Sequence, residues 1–197
     1  GGNPWGGISA DIERELVFVT TGNPGSYLQG VSRPGKNKFA NSIIAFDIKN
    51  KRVLWDFQEI AHDIWNADLP APPILTRINH NSKNIDVVVA VTKLGNTLLL
   101  DRLSGKPIFG FNKLKAPLSS IPGEMTSAYQ PKIELPEPFA KQFFTMKDIT
   151  DISEKSRDYI YNKIYDMDFG FFKPNSIDNK NITFNWMGGA EWMGASI

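Results

Sequence analysis

The amino-acid sequence predicts an all-β fold of repeated strand–turn–strand units, and three observations carry that prediction. Short apolar or alternating runs recur at strand length, 16 Gly and 13 Pro punctuate them, and one segment repeats itself. AFDIKNKRVLW (45–55) aligns with LLDRLSGKPIF (99–109) at a constant offset of about 54 residues. Ala45 pairs with Leu99, Asp47 with Asp101, Lys51 with Gly105 and Trp55 with Phe109. Each copy reads as a strand ending in Asp, a polar turn, and a second strand carrying an aromatic. The Asp is expected to hydrogen-bond turn amides and the aromatic to pack on a neighbouring sheet. A repeat of roughly 40–55 residues made of short strands suggests β-propeller blades, each a four-stranded sheet.

Taken in order, the predicted strands are LVFVTT (16–21), SIIAFDI (42–48), RVLWDFQ (52–58), DVVVAVT (86–92) and NTLLLD (96–101). Gly22-Asn23-Pro24-Gly25 and Pro34-Gly35 mark loops. A second repeat joins the two ends: GGNPWGGIS (1–9) matches GGAEWMGAS (188–196), making Trp192 the equivalent of Trp5. That offset of about 187 residues holds about three units plus an insertion of around 25. Residues 111–182 break the strand pattern and are expected to leave the propeller as an insertion with one helix and otherwise irregular chain. The helix is predicted over 151–167, with Asp151 as N-cap and Glu154 three residues on. Ile152, Tyr159, Ile160, Ile164 and Tyr165 are expected to dock it on the propeller. The division is therefore 1–110 for propeller blades, 111–182 for the insertion and 183–197 for the start of the next blade. About three blades are expected in all. The chain begins without Met or a basic-then-apolar leader and stops inside an apolar run, so both ends read as cuts in a longer chain.

Composition narrows the functional classes. Across 197 residues, 22 Lys and Arg balance 21 Asp and Glu for a net charge of +1, which gives no electrostatic case for nucleic acid or a polybasic membrane contact. Hydrophobic residues at 41% and charged residues at 22% describe a globular chain rather than a disordered one. With no Cys, disulfides, thiolate metal sites and cysteine nucleophiles are excluded from this stretch. No apolar run approaches the roughly 18 residues of a membrane span.

The chemistry gathers in HDIWNADLPAPP (62–73), which places His62, Asp63, Asn66 and Asp68 around Trp65 in one turn-rich segment. Lys93 closes a strand in VTKLGN (91–96), Asn23 ends another in VTTGNPG (19–25), and Trp5 lies near the start of the first. In a propeller the loops of one face converge on the axis, so these groups are positioned to meet. Each also has a plainer role. A Trp beside Gly residues packs a blade, Asn before Pro makes a turn, Lys ends a strand in solvent, and His62 and Asp63 cap the loop.

At these residues the chain resembles the quinoprotein dehydrogenases that use pyrroloquinoline quinone (PQQ), which are eight-bladed propellers. It looks most like the membrane-bound glucose dehydrogenase type, with its His-Asp-x-Trp-Asp-x-Asp-Leu-Pro-Ala segment and a Lys-x-Gly-Asn turn leading to Leu-Asp-Arg. The resemblance is strong at 62–73 and 91–105 and weak across 111–180. Residues 45–55 also look like the family's tryptophan-docking motif, in which Trp from one blade packs on the next. The resemblance implies a sugar or alcohol substrate oxidised by hydride transfer to PQQ with Ca²⁺ assistance. It also implies a respiratory quinone or cytochrome as electron acceptor, the remaining propeller blades as partners, a periplasmic location, and no nucleic-acid role.

Carried over residue by residue, Trp5 matches the Trp beneath the PQQ ring system, and Lys93 the basic residue beside the reactive quinone oxygens. Asn23 matches a calcium-ligating Asn of the alcohol-dehydrogenase branch that the glucose-dehydrogenase branch does not keep. Trp186, Gly188 and Glu191 fall where the family makes further cofactor contacts. One position departs from the family. Its general base is the Asp directly after the Trp, and here that residue is Asn66, whose carboxamide cannot accept the substrate's hydroxyl proton. Asp68 lies two residues on and would face the same way in an extended segment, so it is expected to serve as base or metal ligand with Asn66 as a polar or calcium contact. The alternative is a catalytically inactive propeller that serves as a scaffold or binding protein. If the site is catalytic, Trp5, Asn23, Asn66 or Asp68, and Lys93 should face one cavity. The isolated stretch is expected to be inactive, lacking the ligands supplied elsewhere in the ring.

Overall fold

The computed structural model describes residues 2–183 and 188–197. Its strands form three antiparallel sheets of four, three and two strands. The first is a meander of β1 (Ile8–Asp11), β2 (Leu16–Thr20), β3 (Ser42–Asp47) and β4 (Arg52–Gln58), with a register shift between Ala45 and Phe46 where β3 meets β4. The second is β5 (Ile74–His80), β6 (Lys83–Val91) and β7 (Thr97–Asp101), and a bridge from Leu100 to Pro107 begins a fourth strand. The third is the hairpin β8 (Phe111–Lys115) and β9 (Tyr129–Ile133).

Alternation along the strands builds the core. Leu16, Phe18, Ile43 and Ala45 of the first sheet pack with Val88, Ala90, Leu98 and Leu100 of the second and Ile133 of β9. Both faces of β6 are covered, so Val87, Val88, Val89 and Ala90 are all buried and the run shows no polar alternation.

The turn of the 54-residue repeat recurs as expected, but in the second copy the chain after it makes only the Leu100–Pro107 bridge, and Phe109 packs on His80 of the same sheet rather than on a neighbouring one. Asp47 Oδ1 accepts from the Asn50 amide at 2.9 Å, and Asp101 Oδ1 accepts from the Ser104 amide at 2.8 Å. The next matched pair, Lys51 and Gly105, both occupy the left-handed region at φ 53° and 67°. Trp55 then docks on the following blade. Its indole Nε1 donates to the Arg102 carbonyl at 3.1 Å and its ring lies on Gly105, where a Cβ would sit 2.6 Å from ring carbons. Beside it, Asp11 of the first sheet meets the Arg102 guanidinium at 3.0 Å, and Arg102 also donates to the Thr76 carbonyl.

The insertion departs from expectation in two respects. It is not irregular outside its helix, because 111–133 form the β8–β9 hairpin, whose Ile133 enters the core; the strand signal was masked by surface Lys and Asn on β8. The helix α1 runs Glu154–Ile164, shorter than 151–167, and its N-cap is Ser153, whose side chain accepts from the Ser156 amide, rather than Asp151. Only Ser156, Ile160 and Ile164 turn partly inward, whereas Ile152, Tyr159 and Tyr165 are exposed. The i, i+4 spacing of that narrow stripe sets the inward face, and the tyrosines lie off it.

Candidate functional site

The strand ends on one rim of the two larger sheets carry the site. The approach to β1 brings Trp5, the exit of β2 brings Gly22 and Asn23, the segment after β4 brings Asn66 and Asp68, and the exit of β6 brings Lys93. These residues line one cavity of about 490 Å³, together with Asn3 and Tyr27. Trp5, Asn23, Asn66, Asp68 and Lys93 therefore converge, Gly188 and Glu191 do not line this cavity, and Trp186 lies outside the described residues. Trp192, the sequence equivalent of Trp5, is exposed and does not line this cavity.

Asp68 and Lys93 form the charged centre. Lys93 Nζ donates to Asp68 Oδ2 at 3.0 Å, both side chains being about nine-tenths buried, and the Lys93 amide donates to the Asp68 carbonyl at 3.3 Å. The other Asp68 oxygen accepts from the Asn23 amide. Gly22 makes this crowding possible, since a methyl there would come within 2.8 Å of both Asp68 Oδ1 and Trp5 Nε1. A residue with a side chain would displace either the indole or the carboxylate.

Asp63 organises the loop beneath. Its Oδ2 accepts from Asn23 Nδ2 at 2.7 Å, Asn41 Nδ2 at 2.8 Å and the Ala67 amide at 2.8 Å, while Oδ1 accepts from the Trp65 amide at 2.8 Å. Complete burial pushes its pKa up, against the four hydrogen bonds. By fixing the amides of residues 65 and 67, Asp63 shapes the chain on either side of Asn66, which sits in the left-handed region at φ 56°. Asn and Asp both tolerate that conformation better than most residues with a side chain, so the backbone admits either at this position. Asp63 also commits Asn23 Nδ2, and Asn23 Oδ1 is buried without a hydrogen-bond donor among the described residues.

His62 belongs to the support rather than the cavity. Its Nδ1 meets the Gly35 carbonyl and its Nε2 meets Glu124 Oε1, both at 2.7 Å. Glu124, from the insertion, also accepts from the Gly30 amide. Arg33 closes the long β2–β3 loop by donating to the carbonyls of Gly25, Ser26, Gln29 and Asp63. Tyr27 was invisible in the sequence because it lies in no repeated or chemically marked segment, and Asn3, although inside the 1–9 end repeat, is not one of the positions the two copies share. Only the folded loop brings Tyr27 to the cavity.

The residues fit a hard cation beside a flat aromatic ligand. Asn23 Oδ1 is a buried amide oxygen with no hydrogen-bond partner among the described residues, Asn66 and Asp68 add oxygen donors on the same cavity, Trp5 offers an aromatic face, and Lys93 a cation. Among the described residues there is no cluster of three or more His, Cys, Asp or Glu side chains suited to a metal. A cation here would lean on amide oxygens.

Comparison with known proteins agrees with this arrangement. The family model for the β-propeller domain of PQQ-dependent glucose, ethanol and alcohol dehydrogenases matches residues 1–197. The quinoprotein glucose dehydrogenase of Escherichia coli (strain K12) is 31% identical over 134 residues, 68% of this chain and 17% of its own length. The glycerol dehydrogenase large subunit of Gluconobacter oxydans (strain 621H) is 28% identical over 200 residues, covering 96% of this chain and 26% of its own. Among solved structures, the quinohemoprotein alcohol dehydrogenase from Comamonas testosteroni superposes with a TM-score of 0.53 at 28% identity, over 66% of this chain and 19% of that one. The chain thus spans about a sixth to a quarter of the length of these relatives. With its blade repeat, docked Trp55 and matching family model, the chain belongs to the β-propeller domain family of the PQQ-dependent dehydrogenases.

Proposed function

We propose that this chain is part of a PQQ-dependent dehydrogenase that oxidises a sugar or another alcohol with the help of Ca²⁺. The observation that carries the reading is the convergence of Trp5, Asn23, Asn66, Asp68 and Lys93 on one cavity. When bound, PQQ supplies the hydride acceptor for the carbinol carbon of the substrate. Trp5 stacks against its ring system, and the Lys93 ammonium balances negative charge at its oxygens. Asn23 and Asn66 hold the calcium ion through amide oxygens. Asp68 takes the substrate's hydroxyl proton on a carboxylate oxygen, the step Asn66 cannot perform. Trp186 adds a cofactor contact. The rest of the propeller completes the site, residues 183–197 begin the next blade, and the full protein works in the periplasm with a respiratory quinone or cytochrome as acceptor. On its own this stretch lacks the other blades' ligands and is inactive.

Asn66 favours a second reading, a propeller that binds without turnover. One experiment separates the two. The full-length protein is assayed with PQQ, Ca²⁺ and an artificial electron acceptor across sugars and alcohols. Asp68→Ala is expected to lower kcat by about 100-fold or more, and Asn66→Asp to retain turnover. Full activity in Asp68→Ala overturns the assignment of the base. PQQ binding without turnover in the wild type supports the scaffold.

A further inference from the structure

Glu59 has no part in the chemistry proposed above. It follows β4 at the site rim and is buried to 1% exposure. One of its oxygens gathers both ends of the turn that carries Lys93: Oε1 accepts from Asn96 Nδ2 at 2.7 Å and from Thr92 Oγ1 at 3.2 Å. The turn is otherwise closed by the Thr92 amide donating to the Asn96 carbonyl at 3.0 Å and the Gly95 amide to the Thr92 carbonyl at 2.9 Å. From outside, the insertion grips the same turn. Gln142 Nε2 donates to Asn96 Oδ1 at 2.6 Å, and the Phe139 amide to the Gly95 carbonyl at 2.8 Å. Lys93 is therefore set between an internal carboxyl and an external brace, with its ammonium delivered to Asp68.

We infer that Glu59 is a positioning residue for Lys93, fixing the 92–96 turn so that the ammonium stands at the cavity beside Asp68; the inference rests on the cofactor reading of that cavity. The second oxygen, Oε2, has no hydrogen-bond partner among the described residues, so the whole hold runs through Oε1. A glutamine retains an Oε1 acceptor, and an alanine does not. Without that acceptor the Asn96 amide group is buried with a donor unpaired, and the turn loses the bond that ties it to β4.

The test uses the full-length chain with Ca²⁺. PQQ binding is followed by tryptophan fluorescence, and the Lys93 side chain by NMR of ¹³C-methylated lysines, assigned with Lys93→Arg. Glu59→Ala is expected to weaken PQQ binding about tenfold and to move the Lys93 signal, whereas Glu59→Gln stays within about threefold of wild type with the signal in place. In a Lys93→Ala background, Glu59→Ala is expected to add less than about threefold, because both changes act through one group. The inference is overturned by an unmoved Lys93 signal in Glu59→Ala, by the same loss in both backgrounds, or by Glu59→Gln failing as Glu59→Ala does. If Glu59→Ala does not fold, Thr92→Val removes one of the two Glu59 bonds together with the bond Thr92 Oγ1 accepts from the Asn96 amide at 3.3 Å, and Thr92→Ser, which keeps both, is its control; about a threefold loss with a moved Lys93 signal is expected in the first and none in the second, and an unmoved signal in Thr92→Val overturns the inference. Unchanged PQQ binding in Lys93→Ala refutes the cofactor reading instead, and the Lys93 signal then decides the role of Glu59.

Discussion

The two rims of the paired sheets are built on opposite rules. At the rim of the hairpin turns the chain repeats and its charges are paired. Asp47 and Asp101 cap equivalent turns, and Asp11 is shared by Arg14 and Arg102. The 54-residue repeat does not reach the cavity rim, where only Trp5 and Asn3 belong to a repeated segment, that of the two ends. Here Asn23, Asn41 and Glu59 each keep a buried oxygen without a donor among the described residues, against Arg102 Nε alone at the hairpin rim. Buried polar groups left unsatisfied cost stability, so a rim that collects them has been shaped by something other than stability. The 54-residue repeat marks the rim that holds the blades together, and its absence marks the rim with the candidate site.

The widest separation between the rims should come from Asp11→Ala. Removing that carboxylate leaves Arg102 buried with its Nε already unpartnered, which is expected to cost about 3 kcal/mol in urea unfolding of the full-length protein. PQQ affinity, measured in the same preparation, should stay within about twofold, since the cavity is at the other rim. A parallel loss of affinity at unchanged occupancy of the folded state would merge the two rims into one functional unit.

Acidity should distinguish the rims next, with opposite signs. Burial tends to raise the Asp11 pKa, but the hydrogen bonds from Arg102 and Arg14 outweigh it and hold the pKa below its ordinary value. The stability it contributes is present above that ordinary value and is lost as pH falls through the lowered one. Glu59 behaves the other way. Burial raises its pKa from 4.5 to about 7, against the hydrogen bonds from Asn96 and Thr92. Its favourable contribution is complete below the unfolded value and is lost as pH rises through about 7. Wild-type stability should therefore lose a component on the order of 1–3 kcal/mol across that rise, and Glu59→Gln should lack it. Identical pH profiles for the two proteins would show that the cavity rim does not strain this carboxyl.

The finest test concerns the repeat itself. Lys51 and Gly105 hold the same left-handed turn position, but only Gly105 does so without a Cβ penalty. Lys51→Gly should stabilise the protein by about 0.5 kcal/mol, read as a small rise in denaturation midpoint. A loss instead would mean that the Lys51 side chain contributes more than its backbone costs.

The legibility of the molecule follows the same divide. Asp47, Lys51 and Trp55 announced the hairpin through their counterparts 54 residues on; the structure gives the Asp pair the same hydrogen bond and the Lys51–Gly105 pair the same backbone conformation, while Trp55 docks on the next blade and Phe109 packs on His80 of its own sheet. The ISAD strand β1 and the FNKLK strand β8 were missed because they are short or polar, and β8 is stabilised by partners rather than by its own pattern. Ser153 took the cap from Asp151 because both are good N-caps and only the local chain path chooses between them. In the site, Lys93, Asp68 and Asn23 were marked by chemical type and by resemblance. Tyr27, Asn41 and Glu59 were not, since each is one polar residue at the end of an ordinary strand or inside a long loop.

By itself the sequence determined the strand–turn–strand unit, its spacing, the docking Trp and the set of residues with the right chemistry, because these depend on contacts between residues near in the chain or repeated along it. The tertiary structure alone decided that Asn23 is turned by Asp63, that Asp68 is paired with Lys93, and that Glu59 holds the Lys93 turn. Those arrangements join residues 25 to 40 positions apart through buried hydrogen bonds whose strength depends on exclusion of water. No local pattern encodes which distant donor a buried carboxylate will meet.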